Sequence, residues 1–438
     1  MVKNSSCRLA ALNLAMIFWG MAVLLFPGSE AFRACYVIMI TAVLVLSIFW
    51  KRKDYIRPYS YLVLSFLVFV WMRYLLNLFF NTDVISVGNG INAVNLSHTA
   101  VYLGTAANVI CMVSILMEGS RFWERVPLFE SRKRMVIPGY AEGILVVCAL
   151  GFFALFLLDS VRKISVINAH DYLAVSENIM VQGYRYFSFG KYFILLWILF
   201  GSYRDRFFWG STILMLAGVG YLMRGARGYA IMYIFMWLLF FSFRHRIKWS
   251  WMIILGMGLV YLANFILSYR LGWSVASGFR DVMVSTLNSQ GASVEPVFGS
   301  VVFREEIRRE FGLLEIFTRN DFGMVVDRVR GTGFESGGFG SSFFAEAYFM
   351  GFPLGMVFTV LAGVCTGILE CACRAVKKGG SAEYAQMLLF MTLPNLIYLG
   401  RSSLKDFIFK TIITVIILWT LQSVAGHSCR GSRQEGVL

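Results

Sequence analysis

The chain has 438 residues, of which 58% are hydrophobic and 15% charged, with a mean hydropathy of +0.67 and a formal net charge of +15. A water-soluble fold of this size cannot hide so much apolar surface, so the bilayer is the expected solvent. The basic excess follows membrane topology and lacks the zinc-finger spacing, aromatic-basic sheet motif or basic tail of a nucleic-acid binder.

Apolar runs predict an all-α polytopic membrane protein of about twelve transmembrane helices. In chain order they cover residues 9–27, 34–50, 60–80, 98–117, 140–158, 189–203, 207–223, 229–243, 250–268, 343–369, 384–399 and 406–424. The first lacks a small-residue cleavage site close behind it and reads as a retained helix, not a signal peptide. Together they form one integral membrane domain, 1–438, with no internal repeat. Roughly half of the 40 Lys and Arg fall in alternate loops, among them Lys51, Arg52, Lys53 and Arg57, then Arg132, Lys133 and Arg134, then Arg374, Lys377 and Lys378. The positive-inside rule therefore puts both termini on the cytoplasmic side of the membrane. The eight cysteines lie mostly in or at the ends of helices, and no structural disulfide is expected. His98, His170, His245 and His427 are scattered, so no metal site is expected.

Two loops on the outer side of this topology are long enough to fold, 159–190 and 269–342. The second has Phe303, Ile307, Phe311 and Leu314 at helical spacing, opposite Arg304, Glu305, Arg308, Arg309 and Glu310. This predicts an amphipathic helix, lying on the membrane surface or packed on the rest of the loop. The loop ends with five glycines within residues 331–340, followed by a helix start that carries Glu346. Glycines there admit close backbone approach, and a helix start attracts anions. No Gly-Lys-Ser/Thr follows, so the segment is not a nucleotide P-loop.

Short outer loops should be poor in arginine, yet two are not. One is Arg224-Gly-Ala-Arg227-Gly; the other is Gly400-Arg401-Ser-Ser-Leu-Lys405-Asp406, just after Pro394 and Asn395. Arginine presents a planar fork that matches phosphate oxygens and stays charged. Arg224, Arg227 and Arg401 have no acidic neighbour in sequence, whereas Lys405 has Asp406. Either they take an anionic ligand or they snorkel to lipid headgroups. Arg73 lies about 10 Å inside the third helix, where snorkelling and function are both open, and Lys191 and Lys410 are near enough to helix ends to snorkel. Glu346, in a membrane segment, is either functional or the partner of an arginine. His170 and Glu335, in the outer loops, are further candidates for a general base.

The Arg-Gly-Ala-Arg-Gly turn at 224–228, the Gly333–Gly355 segment with its Ser-Phe-Phe-Ala-Glu-Ala-Tyr core, and the stretch from Tyr398 through Arg401 to Phe407 carry a resemblance. The chain is similar over residues 160–424 to the oligosaccharide repeat-unit polymerases of bacterial surface polysaccharide synthesis, the O-antigen polymerase (Wzy) family. Members have roughly 10–14 helices and two enlarged periplasmic loops. Some carry an Arg, ten residues and a Gly in those loops; here Arg280 to Gly291 matches once, in the second loop only. The resemblance implies a glycosyltransferase needing no metal, nucleotide or other cofactor. Its donor is a glycan on polyprenyl pyrophosphate and its acceptor a hydroxyl of an incoming repeat unit; a chain-length regulator is a possible partner. Arg224, Arg227, Arg401, Arg280 and Lys405 would bind the pyrophosphate, with Glu346, His170 or Glu335 as catalytic carboxylate or imidazole. An O-antigen ligase uses the same donor, but the His expected in its large loop is missing. A multi-pass transporter or flippase would show inverted repeats, broken helices and midplane charges; no repeat is found, the midplanes are nearly free of charge, and Pro394-Asn395 is the one hint of a broken helix.

Overall fold

The computed structural model describes residues 2–49, 57–86, 88–119, 137, 139–166, 184–202, 204–223, 278–319, 321–332, 341–377 and 383–434, with scattered positions between 230 and 264. Among them every regular element is helical. The first helices are α1 (Val2–Leu25), α2 (Glu30–Phe49), α3 (Pro58–Phe66), α4 (Met72–Phe80), α5 (Ala93–Gly119) and α6 (Gly139–Val166). They are followed by α7 (Tyr184–Phe200) and α8 (Arg206–Met223). The loop region then gives α9 (Phe279–Gln290), α10 (Val294–Val302), α11 (Arg304–Glu310), α12 (Phe322–Arg330) and α13 (Phe343–Phe349). Last come α14 (Phe352–Lys377), α15 (Glu383–Ile397) and α16 (Leu404–Gln434). Among the described residues six spans are long and apolar enough to cross a bilayer: Cys7–Leu25, Glu30–Ile48, Pro58–Phe80, Ala93–Glu118, Gly139–Val161 and Phe352–Val376. The expected spans 229–243 and 250–268 fall mostly outside those residues.

Local sequence explains the boundaries. Pro58 opens α3, where its missing N–H costs nothing. Helix α3 runs through a π-turn, Leu67–Trp71, into α4, which ends on Asn81 in the left-handed region (φ 51°). One expectation needs correction. Residues 343–369 are not one helix, because Gly351 adopts φ +94° and splits it into α13 and α14. Glu346 therefore sits on a short helix ahead of the membrane span.

Helix α5 packs between α1 and α14. The close approach to α14 depends on Gly363 and Gly367, a small-xxx-small pair. A Cβ on Gly363 would lie 2.8 Å from Val113 Cβ, and one on Gly367 would lie 2.4 Å from Met117 Cβ. Gly367→Ile should therefore overpack this contact, costing about 1–3 kcal/mol, visible as a lower thermal midpoint of the purified chain. Helices α6, α7 and α8 pack together, and α15 joins α7 to α3, α14 and α16.

The bundle has two chemically different ends. At one, Glu118 takes Arg374 at 2.8 Å and Arg57 at 3.6 Å, and Glu370 accepts the Tyr59 N–H at 2.9 Å. At the other lies a helical cap built from α9 to α13. Its apolar side chains, among them Val297, Phe298, Phe322 and Val326, are buried. Ile307 and Phe311 of the expected amphipathic stretch are buried too, with Phe311 against Phe322 and Phe349, whereas Leu314 is exposed. The helix itself spans only Arg304–Glu310, and a 3-10 turn, Leu313–Phe317, follows.

Candidate functional site

The cap is fastened to the bundle by a buried charge cluster. Glu295 of α10 takes Arg330 of α12 at 2.6 Å and also pairs with Arg73 of α4. The Glu295 carboxylate accepts the Ser86 N–H at 2.8 Å and its hydroxyl at 2.7 Å, while Arg73 also donates to the Asn288 and Val84 carbonyls. Arg73 thus does not snorkel; it is buried and tied to the loop. Gly291, the end of the Arg-to-Gly spacing, has a structural reason to be glycine: a Cβ there would lie 2.9 Å from Arg73 Cγ.

Beside this cluster, two segments distant in sequence meet. Ser342 donates to the Gly400 carbonyl at 2.9 Å, and the Leu404 N–H donates to Glu346 Oε2 at 2.6 Å. Glu346 is buried and also accepts the Ser341 hydroxyl. Burial pushes its carboxyl up to about 7, although the Ser341 and Leu404 bonds and nearby Lys405 pull it down. Leu404 is the first residue of α16, so the carboxylate also caps that helix. The expected alternative of a salt bridge to arginine is not what Glu346 makes among the described residues.

Arg401 closes a 3-10 turn, Leu399–Arg401, seated on the π-turn after α3 through Gly400, whose Cβ would meet Val70 at 2.8 Å. Its Nη1 donates to the neutral Gln290 Oε1 at 2.8 Å, and among the described residues no carboxylate reaches it. Lys405 donates to the Thr318 carbonyl at 3.1 Å, and Asp406 pairs with Lys410 at 3.5 Å, a different arrangement from the local Lys405–Asp406 pair that adjacency suggested.

The structure thus gathers Glu346, Arg401 and Lys405 where the cap meets α16. It does not bring Arg280 to them. That exposed guanidinium lies 5.2 Å over the Phe80 ring, at the other end of α9 from Gln290, about 15 Å along the axis. Arg224, Arg227, His170 and Glu335 lie outside the described residues. Gln290, Ser341 and the Arg73–Glu295–Arg330 cluster went unnoticed in the sequence. The available signal was Glu295, the one charge in the otherwise apolar helix Val294–Val302.

The family model described as O-antigen polysaccharide polymerase Wzy matches residues 10–319. That range takes in residues 224–228 and the early helices, where only a weak resemblance was expected, and stops short of Glu346 and Arg401. An O-antigen polymerase of Escherichia coli is 27% identical over 390 residues, 85% of each chain. No solved structure matches. A match over most of the chain, on an all-helical membrane protein with cations and a buried carboxyl gathered under a loop-built cap, leads to one conclusion: the chain belongs to the O-antigen polysaccharide polymerase Wzy family, glycosyltransferases that act on lipid-linked repeat units.

Proposed function

We propose that the junction of the cap with α16 is where the polymerase breaks and makes its glycosidic bond. Arg401 carries the reading: it is a half-buried guanidinium with a single neutral partner among the described residues. A cation in such a place is suited to an anionic ligand, and the donor of this reaction has a diphosphate. Arg224, Arg227 and Lys405 are proposed to complete the grip; Arg280, set apart along α9, would contact the glycan or a more distant phosphate oxygen.

The acceptor hydroxyl oxygen attacks the anomeric carbon of the donor glycan. The bond from that carbon to the diphosphate breaks, and the polyprenyl diphosphate leaves with the bonding electrons. The developing charge is stabilised by the guanidinium groups. The hydroxyl proton passes to the Glu346 carboxylate, whose affinity for a proton matches neutral pH. His170 and Glu335 are the alternative bases. The residues use no metal, nucleotide or other cofactor in this scheme.

The full topology belongs to the same proposal. Twelve helices cross the inner membrane, both termini face the cytoplasm, and the loops at 159–190 and 269–342 face the periplasm. The end holding Arg57 and Arg374 would then be cytoplasmic, and a chain-length regulator would act from the periplasmic side. Reporter fusions after residues 228 and 402 test it, and cytoplasmic signals at those points would overturn the diphosphate assignment. The ligase and flippase readings fall away with membership of the polymerase family.

Glu346→Gln tests the base directly. If Glu346 takes the proton, turnover drops about 10²–10⁴-fold and the acid limb of the pH profile near 7 disappears. The variant should also gain stability with rising pH relative to the parent. A carboxyl whose folded pKa lies above its unfolded one costs stability as pH rises from the usual carboxylate range to about 7, and the amide carries no such cost. Normal polymer from this variant rules Glu346 out as base.

A further inference from the structure

The end of the bundle that carries the cap also holds a recess lined by none of the residues of the Arg401 junction. The start of α2, the end of α4, the segment Asn81–Ile85 and the start of α5 enclose a cavity of about 470 Å³. That is the size of a site for a small organic ligand, about 300–1,000 Å³. Its charged and amide groups are Glu30 and Arg33 of α2, Asn77 of α4, and Asn81 and Asp83 just beyond that helix. Arg33 is buried and already donates to the Ala93 carbonyl at 3.2 Å, with Glu30 at 3.7 Å. Asn81 and Asp83 are exposed, and among the described residues their side chains make no hydrogen bond or ion pair. Leu78 and Ile91 add apolar wall.

Two carboxylates against one guanidinium repel a diphosphate, so this recess is no second grip on the leaving group. Carboxylates and amides together accept from and donate to hydroxyl groups, and aliphatic side chains suit the C–H faces of a sugar ring. The recess is also tied to the reaction centre. Val84, in its wall, gives its carbonyl to Arg73 at 3.2 Å, and Arg73 donates to the Asn288 carbonyl at 3.0 Å. Two residues further on, Gln290 holds Arg401 at 2.8 Å. We propose that this cavity is a glycan subsite, which takes an uncharged, hydroxyl-rich sugar of a repeat unit and so selects which unit is polymerised. Its place in the reaction rests on the donor-binding reading above. The ammonium of a phosphatidylethanolamine headgroup would suit the same carboxylates, and the test separates the two.

The purified full-length chain in detergent is titrated with three probes while its thermal midpoint is followed. They are the lipid-free oligosaccharide released by mild acid from the parent strain's surface polysaccharide, geranylgeranyl diphosphate, and phosphatidylethanolamine. Asp83→Asn keeps the size of an exposed side chain and removes its charge, and Ala34→Phe fills the recess. Each should weaken the oligosaccharide about tenfold and leave geranylgeranyl diphosphate as in the parent, whereas Arg401→Ala should do the reverse. Unchanged oligosaccharide affinity in Asp83→Asn overturns the inference and leaves the donor-binding reading standing. So does a parent chain that binds geranylgeranyl diphosphate but not the oligosaccharide. Loss of stabilisation by phosphatidylethanolamine with oligosaccharide affinity intact overturns it in favour of a lipid site. Loss of both oligosaccharide and diphosphate binding in Asp83→Asn marks a structural carboxylate and overturns it too. If the parent chain binds the oligosaccharide through Asp83 but no diphosphate, the donor-binding reading falls and the glycan site remains.

Discussion

Glu295→Ala is expected to detach the cap. The substitution leaves the Arg73 and Arg330 guanidinium groups buried without the carboxylate that holds them. Breaking one member of such a buried network costs about 3–5 kcal/mol, a large part of the stability of an ordinary domain. The measurable outcome is a sharply lower thermal midpoint and rapid proteolysis between residues 279 and 349. Replacing all three residues with methionine should restore much of the loss, since apolar groups of similar volume need no partners. If Glu295→Ala behaves like the parent chain, the cluster is not what holds the cap.

The second large effect concerns Arg401 and its neighbour Gln290. Arg401→Ala should reduce turnover about 10²–10³-fold, and Arg401→Lys should recover little of it, because charge survives while the planar fork is lost. Gln290→Glu separates binding from scaffolding. A carboxylate in place of the amide at 2.8 Å would satisfy the guanidinium and compete with the diphosphate. The variant should then be more stable than the parent yet show a markedly raised donor KM. Raised stability with an unchanged donor KM would make Arg401 a structural residue. Polymer ladders from a strain lacking the gene, complemented by each variant, supply the first readout.

Much of the architecture was legible in the sequence because membrane helices announce themselves. The apolar runs at 9–27, 34–50, 60–80, 98–117 and 140–158 coincide with helices in the structure, since lipid demands an unbroken run of apolar side chains with internal hydrogen bonds. The split of 343–369 was less visible: hydropathy is continuous across Gly351, and only the backbone angle there breaks the helix. In the same way Gly363 and Gly367 carry a recognisable spacing, but their partners on α5 are set by the fold. Among site residues, Arg401 and Glu346 stood out as charges in apolar surroundings. Gln290 did not, because a neutral amide at a helix end has no sequence signature. The role of Arg73 was hidden for another reason. Whether a charge inside a span reaches for lipid or for protein depends on what lies across from it, here a carboxylate 222 positions further along the chain.

The fastening of Glu295 to both its own layer and the third span has a bearing on traffic. A roof pinned by buried charges is not a hinged door, since lifting it would strand two guanidinium groups in a dry cleft. On the donor-binding reading proposed above, long greasy carriers bearing sugars would then slip in sideways from the lipid, through a seam between helices. On the same reading the lengthening polymer would leave along that flank.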